Sequence, residues 1–548
     1  MADDLFLCNL AALQEVNPHL VERLRRCVET EHISKTPAGE FVYKLHLDYV
    51  PLSVTPEQCR AILPTERRGS LLLFGAGLGE LALEWLASGG ESVVAWERDP
   101  FVLRLLLAQY DWREAIASRR LSFALGIDLL SLRGISVDTF VLHPTLGSIY
   151  RNEFFVVTQP AAPLAFVANG GLFFEDISDA LREEGYAVYT IDLDRLSIEE
   201  ITEAVERGKP QLMMRVNHME GLADFSERFG LRTIEWEIDP ALTKVQAVPS
   251  QTTKTSIFTW RRMHVESFKK AGFAKVAYLP LASHPSRRHS IKLASDEKPL
   301  YEVPIAFVGG SMADRTPALR SDFAGIWSRA FPNHSLGGEK VLDAILAEQR
   351  SDFSCYKIPD ILAREAPGLF VPAGELEPEL LAGELAAAER RLSYAQALAP
   401  LGLHVWGDKG WQQVPGLVHR GLAEHGVTIN KIYSNAAINL DMGRLYQLDI
   451  VTMRVFDVLA CGGFLLAEHS EDLAELFKVG EEVESWRTLE ELIDKCRWYL
   501  ANPAQRNALA QRGYRAVCER HTIHQRLKTM LSESAYSLQT ASRSAERF

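Results

Sequence analysis

Residues 449–467, DIVTMRVFDVLACGGFLLA, read as a helix that opens at Thr452, stops at Gly462-Gly463 and feeds the apolar strand Phe464-Leu465-Leu466-Ala467. The spacing predicts about three helical turns. A helix delivered straight into a short, uniformly apolar strand belongs to a parallel sheet with both faces covered. The same unit recurs along the chain. LLLFGAGLGELALEWLASGG, from Leu71, is strand, glycine turn and helix, and SVVAWERDP is a strand ending in Glu97. LAFVANGGLFFEDISDALREEGYAVYTID repeats the pattern from Leu164, PQLMMRVNH and LRTIEWEIDP add strands, and VPIAFVGG opens a further series at Val303. The expected fold class is α/β, with ligands at the carboxyl ends of the strands.

Chemistry gathers at those ends. Arg454 lies in a first helical turn, where the macrodipole already presents positive charge, so a cation there points to a bound anion. Asp457 follows by three residues and shares its face, placed to accept hydrogen bonds from ribose hydroxyls. The blander reading is an i,i+3 surface pair. Asp449 precedes Asp457 by eight positions. Gly309-Gly310-Ser311 follows a first strand, where backbone N–H groups approach a diphosphate. Asn169, Gly170, Gly171, Asn217, His218, Glu237 and Asp239 fall at other strand ends, and His218 and Asp239 are the candidate bases for deprotonating an acceptor. Asp192-Leu193-Asp194 imitates a metal-binding DxD, but a loop and helix cap suffice for it, and no metal is expected.

At 548 residues the chain is long enough for three units of ordinary size. A net charge of -13 argues against a nucleic-acid binder with a broad basic surface. The seven cysteines form no CxxC pair, so neither a zinc site nor a disulfide framework is indicated, which fits a reducing cytoplasm. Acids stand where a signal peptide needs cations, and no apolar run is long enough for a membrane span.

Several stretches resemble a known family. The two acids eight apart are similar to the EX7E signature of GT-B glycosyltransferases, with aspartate in both positions, and RVFDVLACGGFLL is similar to the R-x-F-E-x-L-A-x-G-G of CgeB-like (spore maturation) glycosyltransferases. SIFTWRRMHVESFKKAGFAKVAYLPLASHP closely resembles that family's strand, helix and G-F-x-x-V-x-Y-L-P-L-A passage. The Gly309-Gly310-Ser311 loop resembles its F-V-G-S loop, LHVWGDKGW its strand-G-x-G-W segment, and NKIYSNAAINLDMGR, with Lys431, Tyr433 and Asn439, matches its Y-x-x-S-x-I-N-L-N in part. The resemblance spans about residues 164–531 and implies two Rossmann-like domains facing across a cleft, preceded by an additional Rossmann-like domain. It implies transfer of a sugar from a nucleoside-diphosphate sugar, a UDP-sugar being favoured, to an acceptor protein or glycan without a metal. Gly309, Gly310, Ser311, Lys431, Arg454 and Asp457 would then hold the donor, and Asp449 the sugar or diphosphate side.

The expected domains are 1–155, 156–298, 299–531 and a polar tail at 532–548. The first resembles class I methyltransferases through Gly75, Gly77, Gly79 and Glu97. Leu73 stands where those enzymes carry an acid, and VLHPTLG replaces their catalytic strand end. This domain is read as accessory, or as a nucleotide-binding unit. Two alternatives remain for the whole chain: an S-adenosylmethionine-dependent methyltransferase with a C-terminal targeting module, and an inactive nucleotide-sugar-binding scaffold.

Overall fold

The structure, a computed structural model, describes residues 2–45, 48–239, 245–248, 252–333, 336–367, 369, 377–447 and 449–545. Two compact units result, one of Met1–Val216 with Arg228–Thr233, the other of Asn217–Glu227 with Ile234–Phe548.

The first unit opens with helices Ala2–Val16 and Pro18–Arg25. Their apolar positions Leu10, Leu13, Leu20, Val21 and Leu24 are buried at helical spacing in one core with Leu71 and Leu73. An antiparallel meander follows: β1 (Ile33–Lys35), β2 (Phe41–Leu45) and β3 (Asp48–Pro51). The glycine-turn motif then builds a parallel sheet from β4 (Ser70–Phe74), β5 (Ser92–Glu97), β6 (Leu121–Leu125) and β7 (Thr139–Leu142), in the order β6-β5-β4-β7. Leu71 to Phe74 are wholly buried, as a central strand covered on both faces must be. β8 (Leu164–Ala168), β9 (Ala187–Ile191) and β10 (Leu212–Val216) come next, β8 pairing in parallel with both others.

In the second unit lie β11 (Thr233–Glu237, all but its first residue), β12 (Thr252–Thr259) and β13 (Phe273–Tyr278). Helix Arg262–Ala271 joins the parallel pair β12 and β13 and ends at Gly272, whose φ of 109 only glycine tolerates easily. Pro240, which closes the WEIDP motif, lies outside the described residues.

The rest of that unit is a six-stranded parallel sheet. Its strands are β14 (Ile305–Val308), β15 (Leu403–Trp406), β16 (Val418–His419), β17 (Ile438–Leu440), β18 (Leu465–Glu468) and β19 (Glu484–Trp486), in the order β16-β15-β14-β17-β18-β19. Read outward from β14, this is the 3-2-1-4-5-6 order of dinucleotide-binding folds. The helix of the opening motif is Met453–Ala460, eight residues and so shorter than the sequence predicts. Cys461 already caps it, and Gly462, at a φ of 73, turns the chain into the strand. Helix Ile523–Ala545 carries the end of the chain. At its start a bridge pairs Ser283 with Thr522: Ser283 N–H donates to the His521 carbonyl at 3.1 Å, and Ile523 N–H to the Ser283 carbonyl at 3.0 Å. The mixed α/β fold with several parallel sheets of Rossmann type agrees with the strand and helix rhythm of the sequence.

Candidate active site

In a sheet of this order the crevice falls where the strand order reverses, here at the carboxyl ends of β14 and β17. Gly309-Gly310-Ser311 leaves β14 and Asp441-Met442-Gly443-Arg444 leaves β17. Arg454 reaches this place from its helix. Its Nε donates to the Val308 carbonyl at 3.0 Å, Nη1 bonds Asp441, and the guanidinium lies 4.7 Å from the Phe307 ring centroid. Thr452, at the N-cap position, makes no capping bond and donates its hydroxyl to Asp441 at 2.8 Å instead. The structure thus brings Arg454 and the glycine loop together.

The loop is more constrained than its glycines suggest. Ser311 is buried, with both its N–H, at 2.6 Å, and its hydroxyl committed to Asp408. The Gly309 carbonyl accepts from Trp411 Nε1 at 2.9 Å, and the Gly310 carbonyl from Arg391 Nη1 at 2.7 Å. Trp411 is therefore a buried brace. A Cβ on Gly407 would stand 2.2 Å from the Gly309 carbonyl oxygen, so the residue after β15 must be glycine for the two loops to approach.

The remaining expected residues occupy distinct surroundings. Asp457 is buried, its Oδ1 accepting from Ser283 Oγ at 2.7 Å and its Oδ2 from Arg288 Nε at 3.0 Å. Burial raises its pKa, against the opposing pull of Arg288 and Ser283. Asp449 is bound through both oxygens to Arg261, which also donates to the Tyr446 carbonyl at 3.4 Å. Beside that pair His264 is buried, its Nδ1 without a hydrogen-bond partner among the described residues, and burial with Arg261 pushes its pKa down to about 4. Lys431 is paired with Glu297.

His218 and Asp239 meet at the carboxylate of Glu237. Asn217, at a φ of 65, turns the chain so that the His218 N–H donates to Glu237 Oε2 at 2.7 Å, while the Asp239 N–H donates to Glu237 Oε1 at 2.7 Å. His218 Nδ1 stands 2.7 Å from Glu235 Oε2, and its ring meets Phe268 and Phe273 edge-on. Burial alone would lower the His218 pKa, but the hydrogen bond and charge of Glu235 outweigh it and the pKa is raised. The charge of Asp239 reaches Arg444, which is bound to Glu384 at 2.9 Å and to the Tyr446 hydroxyl at 2.7 Å.

Sequence reasoning missed Asp408, Asp441, Glu235 and Arg391. Asp408 and Asp441 stand directly after a strand's terminal residues, the rule that singled out His218, and that rule would have found them. Glu235 lies inside a buried strand and Arg391 inside the long helix Pro378–Leu398; neither gives a local signal.

At the first unit's own reversal point, between β4 and β7, the space beside the glycines is taken. A Cβ on Gly77 would stand 2.4 Å from His143 Nε2. Glu97 is wholly buried and accepts from the Ala76, Arg98 and Asp99 N–H groups and the Tyr150 hydroxyl. Its lone pairs are committed within the protein. Asp192 and Asp194 of the DxD-like run pair with Arg195 and Arg215.

Residues 386–532, which include Arg391, Asp441, Asp449, Arg454 and Asp457, match a family model described as glycosyl transferase-like. The enzyme class this supports is a glycosyltransferase. No curated protein matches the chain. Similar solved structures include a glycosyltransferase from Rickettsia africae, at 9% identity and a TM-score of 0.39 over 69% of this chain and 99% of that one. The sucrose-phosphate synthase of Thermosynechococcus elongatus is 11% identical, with a TM-score of 0.36 over 70% of this chain and 98% of that one. Anabaena Alr3699/HepE in complex with UDP is 10% identical, with a TM-score of 0.34 over 70% of this chain and 100% of that one. Among the described residues no helix is long and apolar enough to cross a membrane.

Proposed function

We propose that this chain is a GT-B enzyme of CgeB-like kind that moves a glycosyl group from a nucleoside-diphosphate sugar to a hydroxyl of a protein or cell-surface glycan in the cytoplasm, without a metal. One observation carries the reading: Arg454, inside the glycosyl transferase-like stretch, reaches the carboxyl end of β14 at the point of strand-order reversal. In the reaction the bond from the anomeric carbon to the diphosphate oxygen breaks, and its electron pair stays on the diphosphate. The acceptor oxygen forms the new bond, and its proton passes to a base. The main demand is therefore positive charge and N–H groups at the leaving diphosphate. Arg454 and the Gly309-Gly310-Ser311 loop meet it, with Lys431 toward the base end. Asp457 is assigned to the ribose and Asp449 to the sugar, each exchanging an arginine partner for substrate. His218 and Asp239 are the candidate bases, and Glu235 favours His218 because it fixes the ring.

A second reading, a nucleotide-sugar-binding scaffold without turnover, is favoured by the carboxylates of Asp449 and Asp457 being already satisfied by Arg261 and Arg288. The deciding experiment is a thermal-shift and calorimetric screen of wild type and Arg454→Met against UDP-, GDP-, dTDP-, ADP- and CMP-sugars, with S-adenosylhomocysteine as control. Stabilisation of wild type alone by one nucleoside-diphosphate sugar, with slow hydrolysis of it, supports the transferase. Binding without any turnover supports the scaffold. Binding of S-adenosylhomocysteine alone overturns both.

A further inference from the structure

Four arginines converge at the carboxyl ends of β14, β17 and β18, and three of them are matched by carboxylates. Arg390 is forked onto Glu468 at 2.7 and 2.6 Å, Arg444 is paired with Glu384 and Arg454 with Asp441. Arg391 has no carboxylate partner among the described residues. It is 7% exposed, Nη1 and Nη2 donate to the Gly310 and Met442 carbonyls at 2.7 and 2.8 Å, and Nε is buried with no acceptor among the described residues. Phe307 lies between Arg391 and Arg454, its ring centroid 5.6 Å from one guanidinium and 4.7 Å from the other.

Such an arrangement is costly. A buried cation needs a counter-charge, and two carbonyl dipoles replace one only in part. Burial, then the charges of Arg454, Arg444 and Arg390, push the Arg391 pKa down to about 9. Neutral donors would hold the same two carbonyls without that penalty.

The loop in front of Arg391 supplies the second observation. The Gly310–Ser311 peptide is pinned at both ends, its carbonyl by Arg391 and its N–H by Asp408 at 2.6 Å. The preceding peptide has its Gly309 carbonyl on Trp411. In a trans peptide the N–H points opposite to the carbonyl, so the Gly310 N–H is turned away from Trp411. Gly310 is exposed, and among the described residues its N–H has no acceptor.

The geometry points to Arg391 as a positioning residue for an anionic diphosphate: it anchors the Gly310–Ser311 peptide beside the Gly310 N–H that Trp411 turns outward, and it places one unmatched positive charge behind that N–H. This rests on the donor site proposed above, and it separates two tasks there. Arg454, paired with Asp441, meets the diphosphate directly. Arg391, behind the loop, adds an unmatched charge to that of Arg454 as the glycosyl bond breaks.

Calorimetric titration of the full chain tests this, using wild type, Arg391→Met and Arg391→Lys with inorganic pyrophosphate, UDP and UMP. Arg391→Met is expected to weaken pyrophosphate and UDP about tenfold, as the Gly310 N–H loses the charge behind it and the anchored peptide beside it, and to leave UMP within about threefold. Arg391→Lys keeps the charge without the fork and is expected to weaken UDP about threefold with UMP unchanged. Should Arg391→Met fail to fold, the ratio of UDP to UMP affinity in Arg391→Lys decides. An unchanged ratio in either variant, or equal loss of UDP and UMP, overturns the assignment and leaves Arg391 a loop brace. Pyrophosphate binding by wild type that Arg391→Met weakens, with no nucleotide binding by either, upholds Arg391 and overturns the donor reading. No binding of any probe by wild type overturns both.

Discussion

Arg261 clasps Asp449 with two hydrogen bonds, Nε to Oδ2 at 3.0 Å and Nη2 to Oδ1 at 2.6 Å, across 188 positions of sequence. Arg261 is almost fully buried and Asp449 is half-open. Asp449→Ala therefore strands a buried cation, at a cost of about 2 kcal/mol once the exposure of the carboxylate is discounted. Urea denaturation measures it. The double variant Arg261→Met with Asp449→Leu is expected to recover more than half, and a double variant as unstable as the single one would show that the pair is not the source.

Asp457 is the more buried acid. Asp457→Ala leaves Arg288 without a carboxylate and Ser283 without an acceptor, and about 3 kcal/mol of stability is expected to be lost. If the carboxylate also serves the ribose, Asp457→Asn weakens UDP and spares pyrophosphate. Equal effects on the two would remove Asp457 from the ribose.

His218 carries a pH signature. Its folded pKa is raised, so the stabilisation from its contact with Glu235 is full below the unfolded value of 6.5 and is lost as pH rises through the folded value. As a base it must be neutral, so transfer rises across that same upper window. Glu235→Gln is expected to lower the pKa, move the acid limb of the rate profile to lower pH and remove the acid-side stability. The chemical shift of the His218 ring against pH reads the first effect directly, and a pKa that does not fall in Glu235→Gln would refute the pairing.

Gly407→Ala forces a methyl group against the Gly309 carbonyl oxygen and the Trp411 ring. The loop after β14 has to shift, and a loss of about 1–3 kcal/mol is expected from overpacking. Nucleotide binding should fall further than stability alone explains. Retained UDP affinity in a destabilised Gly407→Ala would separate the loop from the donor site.

Much of the fold is visible in sequence because each strand is a short apolar run closed by glycine or a polar residue, and each crossover is a helix of matching period. The Asp449–Ala467 motif shows this register, with the helix shorter than expected and the strand displaced by one residue to Leu465–Glu468, since an apolar run does not mark the residue at which a turn ends or a strand begins. The site is less legible, because its decisive contacts join residues far apart in the chain. Gly309 and Arg454 were found through local rules, the strand end and the helix start. That Ser311 spends its N–H on Asp408, that Asp449 meets Arg261 and that Arg391 is unmatched depend on which strand lies beside which. Glu97 shows the opposite limit. Its spacing after the glycines is right for a ribose, yet Tyr150, 53 positions later, occupies its carboxylate.

The bridge between Ser283 and Thr522 bears on how the protein is made. Ser283 donates to Asp457 and takes its backbone partners from the His521–Ile523 segment, so the 280–288 stretch that holds Asp457 through Ser283 and Arg288 is fastened by residues translated more than two hundred codons later. The Asp457 clamp therefore waits, with β12 and β13 already synthesised, for the His521–Ile523 segment to emerge. A stop codon placed before Thr522 therefore yields a chain whose glycine loop and Arg454 are intact in sequence, but whose Asp457 clamp has lost the strap that holds it.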